Sequence, residues 1–264
     1  MSIQRVYTIF LRQMFLIRRS FHRLLGIFYW SVLELFLWGF LTAYLTGIGK
    51  DRFSFITVVI GTVILWNFLN RVQQGVAVSF LEDIWSRNFL NLFGSPLRLN
   101  EYIGGLILVS IVSSVVSIIV MTAIAWFLFS YNLFQFGFLM IPFIFILFFF
   151  GLALGLYTTA MILRFGPSSE ILAWSIPALI PPFSGVFYPV ATLPVWIQYI
   201  AYVIPSSYIF EGMRAVVLSG VFETHLLLFA AGLSLLYTAI AFYLVHRSYR
   251  YVLRNGLITR IQVE

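Results

Sequence analysis

The chain has 264 residues, of which 61% are hydrophobic, 19% aromatic and 9% charged, with no cysteine and a net charge of +7. Soluble domains carry about a quarter charged residues, so a water-soluble fold is excluded, and the absence of thiols rules out disulfides and thiolate metal sites. The basic excess has no separate basic domain behind it, which argues against nucleic-acid binding.

Residues 1–23 open the chain. Ile3, Val6, Tyr7, Phe10, Met14, Ile17 and Phe21 recur every three or four positions, and Arg5, Arg12 and Arg19 every seven. That pattern predicts an amphipathic helix in the interface plane. Its arginines would anchor it on anionic lipid or form a collar at the mouth of a pore. The first apolar run follows five arginines and ends without an A-x-A-like site, so no cleaved leader is expected.

A membrane span needs roughly 20 apolar residues. By that measure span one covers residues 24–46, and span two covers 53–70 with a possible continuation to 78. From Tyr102 to Leu163 there is no Asp, Glu, Lys or Arg, too long a run for one crossing. It divides at Ser130-Tyr131-Asn132, a turn signal, into span three (102–129) and span four (136–163). Span five begins near Glu170 and reaches about Val190, and span six covers 226–245. The basic tail HRSYRYVLRNGLITRIQVE prolongs span six.

Six spans put both ends of the chain on one side. That side collects Arg5, Arg12, Arg18, Arg19, Arg23, Arg71, Arg87, Arg98, Arg164, Arg247, Arg250, Arg254 and Arg260, against Lys50, Arg52 and Arg214 on the other. Positive charge in short loops stays cytoplasmic, so the termini, the 71–101 loop and the Arg164 loop are expected inside.

Four groups of residues stand out. Between spans two and three lies LEDIWSRNFLNLFGSPLRL, read as a short amphipathic helix over 81–93. Ile84, Trp85, Phe89 and Leu92 would form an apolar anchor, with Glu82, Asp83, Arg87 and Asn88 around it. Within span one, Glu34 is an intramembrane acid, a default pointer to function, and Trp30 and Trp38 flank it at four-residue spacing. It lines a conduit for polar groups or bonds to another span. Asn67, Asn70, Gln73 and Gln74 in span two either line the same path or hold helices together. Ser110, Ser113, Ser114 and Ser117, with Gly151-x-x-x-Gly155, read as close helix contacts.

The fourth group is proline-rich. Pro177, Pro181, Pro182, Pro189, Pro194 and Pro205 fall in a region with no charge from Ile171 to Phe210. Proline breaks helices. Broken backbone at membrane depth survives only where protein or a water-filled cavity satisfies it. Residues 177–214 are therefore expected as short helices dipping into the outer leaflet and returning. His22, His225 and His246 are isolated, without metal-ligand spacing. No G-x-x-x-x-G-K-S/T stretch occurs, so any ATP must be bound by another polypeptide.

Two stretches resemble the permeases of type-2 ABC exporters. LEDIWSRNFLNLFGSPLRLNEYIGG is similar to the loop after their second span, an acidic-aromatic helix followed by SP-L-R/S-x-x-E. PFSGVFYPVATLPVWIQYIAYVIPSSYIFEGMR is similar to their segment before the last span, G-x-F-Y/F-P-x-x-x-L-P-x-W then P-x-S/T-Y/H-x-x-E-x-M/L-R. Order, spacing and span count match over essentially the whole chain.

The resemblance implies an all-α integral membrane domain over 1–264. Six transmembrane helices would carry an N-terminal interfacial helix, a cytoplasmic coupling helix and a re-entrant segment before span six. It implies that residues 82–92 dock on a separate ABC ATPase holding ATP and magnesium, with no cofactor on this chain. Gly185, Phe187, Tyr188, Pro189, Glu211 and Arg214 would form an outer gate. A homodimer in a prokaryotic inner membrane would export a glycan, lipid-linked or drug-like substrate. The loop RFGPSSEIL lacks the R-D pair frequent in polysaccharide-exporting relatives.

Two other classes compete on the residues alone. A membrane-embedded transferase needs clustered carboxylates, and Glu82, Asp83 and Glu101 have no second cluster to join. An ion-coupled transporter needs repeats and several midplane acids, where only Glu34 qualifies.

Overall fold

The computed structural model describes residues 2–48, 52–131, 138 and 140–256. Among them every regular element is helical. Helix α1 (Ile3–Arg19) is followed by α2 (Phe21–Ile48), α3 (Arg52–Trp85), α4 (Phe89–Gly94), α5 (Leu99–Phe129) and α6 (Met140–Phe165). Three short helices come next, α7 (Leu172–Leu179), α8 (Val195–Val203) and α9 (Pro205–Ser219), before the long α10 (Thr224–Arg254). Five helices are long and apolar enough to cross a membrane: Phe28–Leu45, Ile56–Trp85, Leu99–Phe129, Met140–Phe165 and Thr224–Arg254.

Helix α3 is the axis of the bundle. It is covered on every side, with 89% of its spanning window buried. Small residues let the neighbours come close. A Cβ on Gly151 or Gly155 of α6 would lie 2.8 Å from the carbonyl oxygens of Leu69 and Gln73 on α3. On the other side Ser110 of α5 donates its hydroxyl to the Val72 carbonyl at 2.8 Å, and a Cβ on Gly75 would strike Ser110. Ser110, Gly151 and Gly155 thus make the close helix contacts expected of them, whereas Ser113 and Ser114 donate to the Ser110 and Ile111 carbonyls of their own helix.

The contacts fix the directions. Gly151 meets Leu69 and Gly155 meets Gln73, so α6 runs parallel to α3. Phe150 meets Tyr237, and Arg164 lies 5.0 Å over the Tyr251 ring, so α10 runs parallel to α6. Glu34–Asn67 and Arg23–Glu82 make α2 antiparallel to α3, and Tyr102–Asp83 with Ser110–Val72 do the same for α5. The C-terminal ends of α3, α6 and α10 therefore share one end of the bundle. Arg87, Arg164, Arg247, Arg250 and Arg254 gather there, and it is called the basic end below.

Several expected boundaries move. Helix α3 does not stop near residues 70–78 but runs to Trp85. Arg71 thus lies inside a spanning helix and is buried, instead of opening a loop. Span five is not a continuous helix over 170–190. Pro177 sits inside α7, and Pro181-Pro182 end it after eight residues. Yet α6 and α10 are parallel, so residues 166–223 must lead back along the bundle. They begin beside Gln73, whose amide donates to the Ala173 carbonyl at 3.1 Å, and end with Met213 against Gly61. Those two α3 positions are about 18 Å apart at 1.5 Å per residue. Asn132 of the expected turn and the expected start of span four at Phe136 lie outside the described residues.

Candidate functional site

Two arrangements of polar side chains stand out, one at each end of the bundle. At the basic end α1 lies across the ends of α3 and α5 and is fastened by charge. Arg12 pairs with Asp83 and Arg5 with Glu101 at 3.3 Å, and at the start of α2 Arg23 pairs with Glu82 at 3.2 Å. The Arg5 guanidinium also reaches the Pro96 carbonyl, and the Ser2 backbone N–H donates to Glu101 at 2.7 Å. Asp83 is the keystone. It is 1% exposed, and accepts from the Tyr102 hydroxyl at 2.7 Å and from Gln13 at 3.4 Å.

This corrects the expected role of the α1 arginines. Arg5 and Arg12 face protein carboxylates and do not project only into lipid; Arg18 and Arg19 remain exposed. Buried acids recruit the nearest cations because an unpaired charge there is costly. The heptad spacing of Arg5 and Arg12 and the three acids at 82, 83 and 101 were the visible signals. Their pairing is set by which helix ends meet, and residue order does not carry it.

The expected single helix over 81–93 is absent. Glu82, Asp83, Ile84 and Trp85 form the last turn of α3; Ser86, Arg87 and Asn88 turn, and α4 restarts for six residues. Arg87 takes the left-handed conformation, φ 55°, which breaks the helix. The acids therefore do not rim an outward-facing helix. Asp83 points back into its ion pair with Arg12 of α1 and Glu82 into its pair with Arg23 of α2, and Ile84 is buried. Trp85 is 52% exposed and donates its indole N–H to Glu170 at 2.7 Å. Arg87 is exposed and Asn88 half-buried; the Phe89 side chain lies outside what is described. Behind them Phe93 is wedged between Tyr102 of α5 and Tyr249 of α10. The result is a rigid base carrying an exposed tip over residues 85–98.

At mid-depth the expected path residues divide. The Asn67 amide donates to Glu34 at 3.1 Å and to the Val63 carbonyl at 3.0 Å, so Glu34 makes the interhelical bond of its structural reading. Trp38 stacks on Phe187 with ring centres 4.1 Å apart. Trp30 is exposed and apart from both, and the side-chain oxygen of Asn70 is buried without a partner. Glu34, Asn67, Trp38 and Phe187 thus join α2 to α3 and to the segment before α8.

At the far end the two halves of the expected gate meet. Glu211 accepts from the Val190 N–H at 2.7 Å and from Arg214 at 2.8 Å. The second arm of Arg214 donates to the Gly185 carbonyl at 2.8 Å. Gly185 has φ +67°, and a Cβ would lie 3.0 Å from Val190, so glycine is required for the chain to turn under this clamp. Tyr188 donates to the Pro182 carbonyl at 2.7 Å, and Pro189 caps the turn that follows. The clamp unites residues 21 and 29 positions apart in sequence.

The family model of the ABC-2 type transporter matches residues 6–218, from α1 to the end of α9. The chain belongs to the ABC-2 type transporter family. It is accordingly a multi-pass membrane protein of ABC-permease type. The matched region of this ABC-2 chain contains the Arg12–Asp83 ion pair, the exposed tip and the whole Gly185–Arg214 clamp. A comparison with curated proteins gives no match.

Proposed function

We propose that the chain is the permease subunit of an ATP-driven exporter in the cytoplasmic membrane of a prokaryote. It provides the translocation path for a lipid-linked, glycan or amphiphilic substrate, and a separate ABC ATPase supplies the energy. The basic end faces the cytoplasm, as positive charge in short loops does. The broken segment 166–223 makes the sixth crossing and its re-entrant outer turn. Two copies work together, since α2 and α10 leave most of their apolar windows uncovered, with 22% and 28% buried.

The observation that carries this reading is the rooted tip at the basic end. Residues 85–98 are largely exposed, while Asp83 at their base is buried and ion-paired to α1. An exposed segment with an aromatic anchor suits docking in a partner's groove. A rigid root suits passing a push into α3, the most buried helix. ATP binding closes the ATPase pair and moves both tips, and the path shifts population between inward and outward forms. Glu211 and Arg214 hold the outer turn that must yield.

The test is co-purification with an ABC ATPase from the same organism, followed by ATPase assays in nanodiscs with candidate lipids and glycolipids. Substrate-stimulated hydrolysis is expected from the complex, and no transport from the permease alone. Transport by the isolated chain in vesicles would overturn the reading.

A further inference from the structure

The far end holds a cavity that the clamp does not explain. It measures about 460 Å³ and lies between α8, α9 and the start of α10, within the roughly 300–1,000 Å³ of small-molecule sites. Its wall mixes tyrosines and aliphatic side chains with polar and charged ones. Tyr202 and Tyr208 present their rings, and their positions are fixed: Tyr208 donates to the Tyr202 carbonyl at 2.8 Å and packs edge-on against Phe229. Ser207 also lines the cavity. It is 3% exposed, and its hydroxyl has no partner in the protein. A buried hydroxyl is normally bonded, so this one is set for something that enters.

Charge narrows the ligand. Glu211 and Glu223 line the cavity with Arg214, and the exposed imidazole of His225 lies 3.8 Å from Glu223. Arg214 already has one arm on Glu211 and one on Gly185. Glu211 spends one oxygen on Val190 and Arg214 and keeps the other. Acceptors are thus in surplus, which disfavours phosphate or carboxylate and favours a ligand rich in O–H donors. Flat aromatic faces beside carboxylate and hydroxyl acceptors suit a sugar ring, whose C–H face packs on tyrosine while its hydroxyls bond around the edge.

We propose that this cavity is an exit-side binding site for a neutral hydroxylated ring, with Ser207 and Glu223 as hydrogen-bonding residues and Tyr202 and Tyr208 as the stacking faces. The site rests on the permease reading only for its position at the outer face. It would hold the sugar portion of a substrate as it leaves, next to the clamp that must open.

The full chain in nanodiscs is titrated with methyl glucoside and N-acetylglucosamine by saturation-transfer NMR. Saturable millimolar binding is expected. Ser207→Ala and Glu223→Gln should each weaken it at least fivefold without lowering the melting temperature, because the Ser207 hydroxyl has no partner in the fold and the Glu223 side chain meets only loosely an exposed histidine, His225, at 3.8 Å. No saturable signal from either sugar, equal binding by both variants, or capture of choline in place of the sugars would overturn the proposal. Labelling of Ser219→Cys with a membrane-impermeant thiol reagent separates the two readings. Reaction only from the cytoplasmic side sinks the topology, and the sugar titration still decides the pocket.

Discussion

The indole N–H of Trp85 lies 2.7 Å from the carboxylate of Glu170, bridging the end of α3 to the loop after α6. The two residues stand 85 positions apart and belong to different connections at the basic end. Trp85→Phe keeps the ring and loses the bond. With Trp85 half exposed, the bond contributes about 1 kcal/mol, so ATPase capture should weaken about fivefold. Glu170→Gln should produce a similar loss, and the double variant should be no worse than either alone. Binding of the purified ATPase to nanodisc-held permease measures it; additive losses would separate the two residues.

Removing Asp83 should damage the fold more than any surface change. Asp83→Ala strands Arg12 in a buried setting and deprives Tyr102 and Gln13 of their acceptor. Loss of one member of a buried pair costs about 3–5 kcal/mol. Arg12→Met combined with Asp83→Leu should recover part of that loss. Thermal unfolding in detergent checks both.

Helix contact at α3 tolerates no side chain at Gly155. A leucine there must displace the Gln73 carbonyl and Val76, and overpacking costs about 1–3 kcal/mol. Reduced yield of folded monomer is expected from Gly155→Leu. The same change at Gly232, where a Cβ meets nothing within 4 Å in the same copy, should leave the fold of the single chain intact.

Glu34 is assigned here as a hydrogen-bond acceptor for Asn67. Glu34→Gln retains an acceptor and should leave stability near wild type. Glu34→Leu should lose about 0.6 kcal/mol, the average for interhelical bonds in membranes. Transport that fails in the glutamine variant while the fold stays intact would assign the charge itself a function.

The outer clamp gives a separate readout. Arg214→Lys keeps the charge but cannot hold both Glu211 and the Gly185 carbonyl with two arms. Transport should fall while ATPase binding stays. Gly185→Ala should do the same and also cost about 1–2 kcal/mol, since φ +67° is strained for any residue with a Cβ.

Much of this architecture is written in local chemistry. Long uncharged runs can only be membrane helices, because each buried peptide group must be satisfied within its own segment. Arginine placement marks one end of the bundle, proline clusters mark the broken segment, and small residues at i and i+4 mark close packing. All of these depend on near neighbours in the chain. Other features needed the assembled helices. The uninterrupted α3, the break at Arg87 and the pairing of Arg5, Arg12 and Arg23 with Glu101, Asp83 and Glu82 are set by which ends come to lie side by side. Likewise Glu34 has an amide opposite it, Arg214 a carbonyl 29 positions away, and Ser207 an open cavity. A charge buried by packing takes whatever partner the packing brings, and that choice is made across space, where residue order along the chain carries no information.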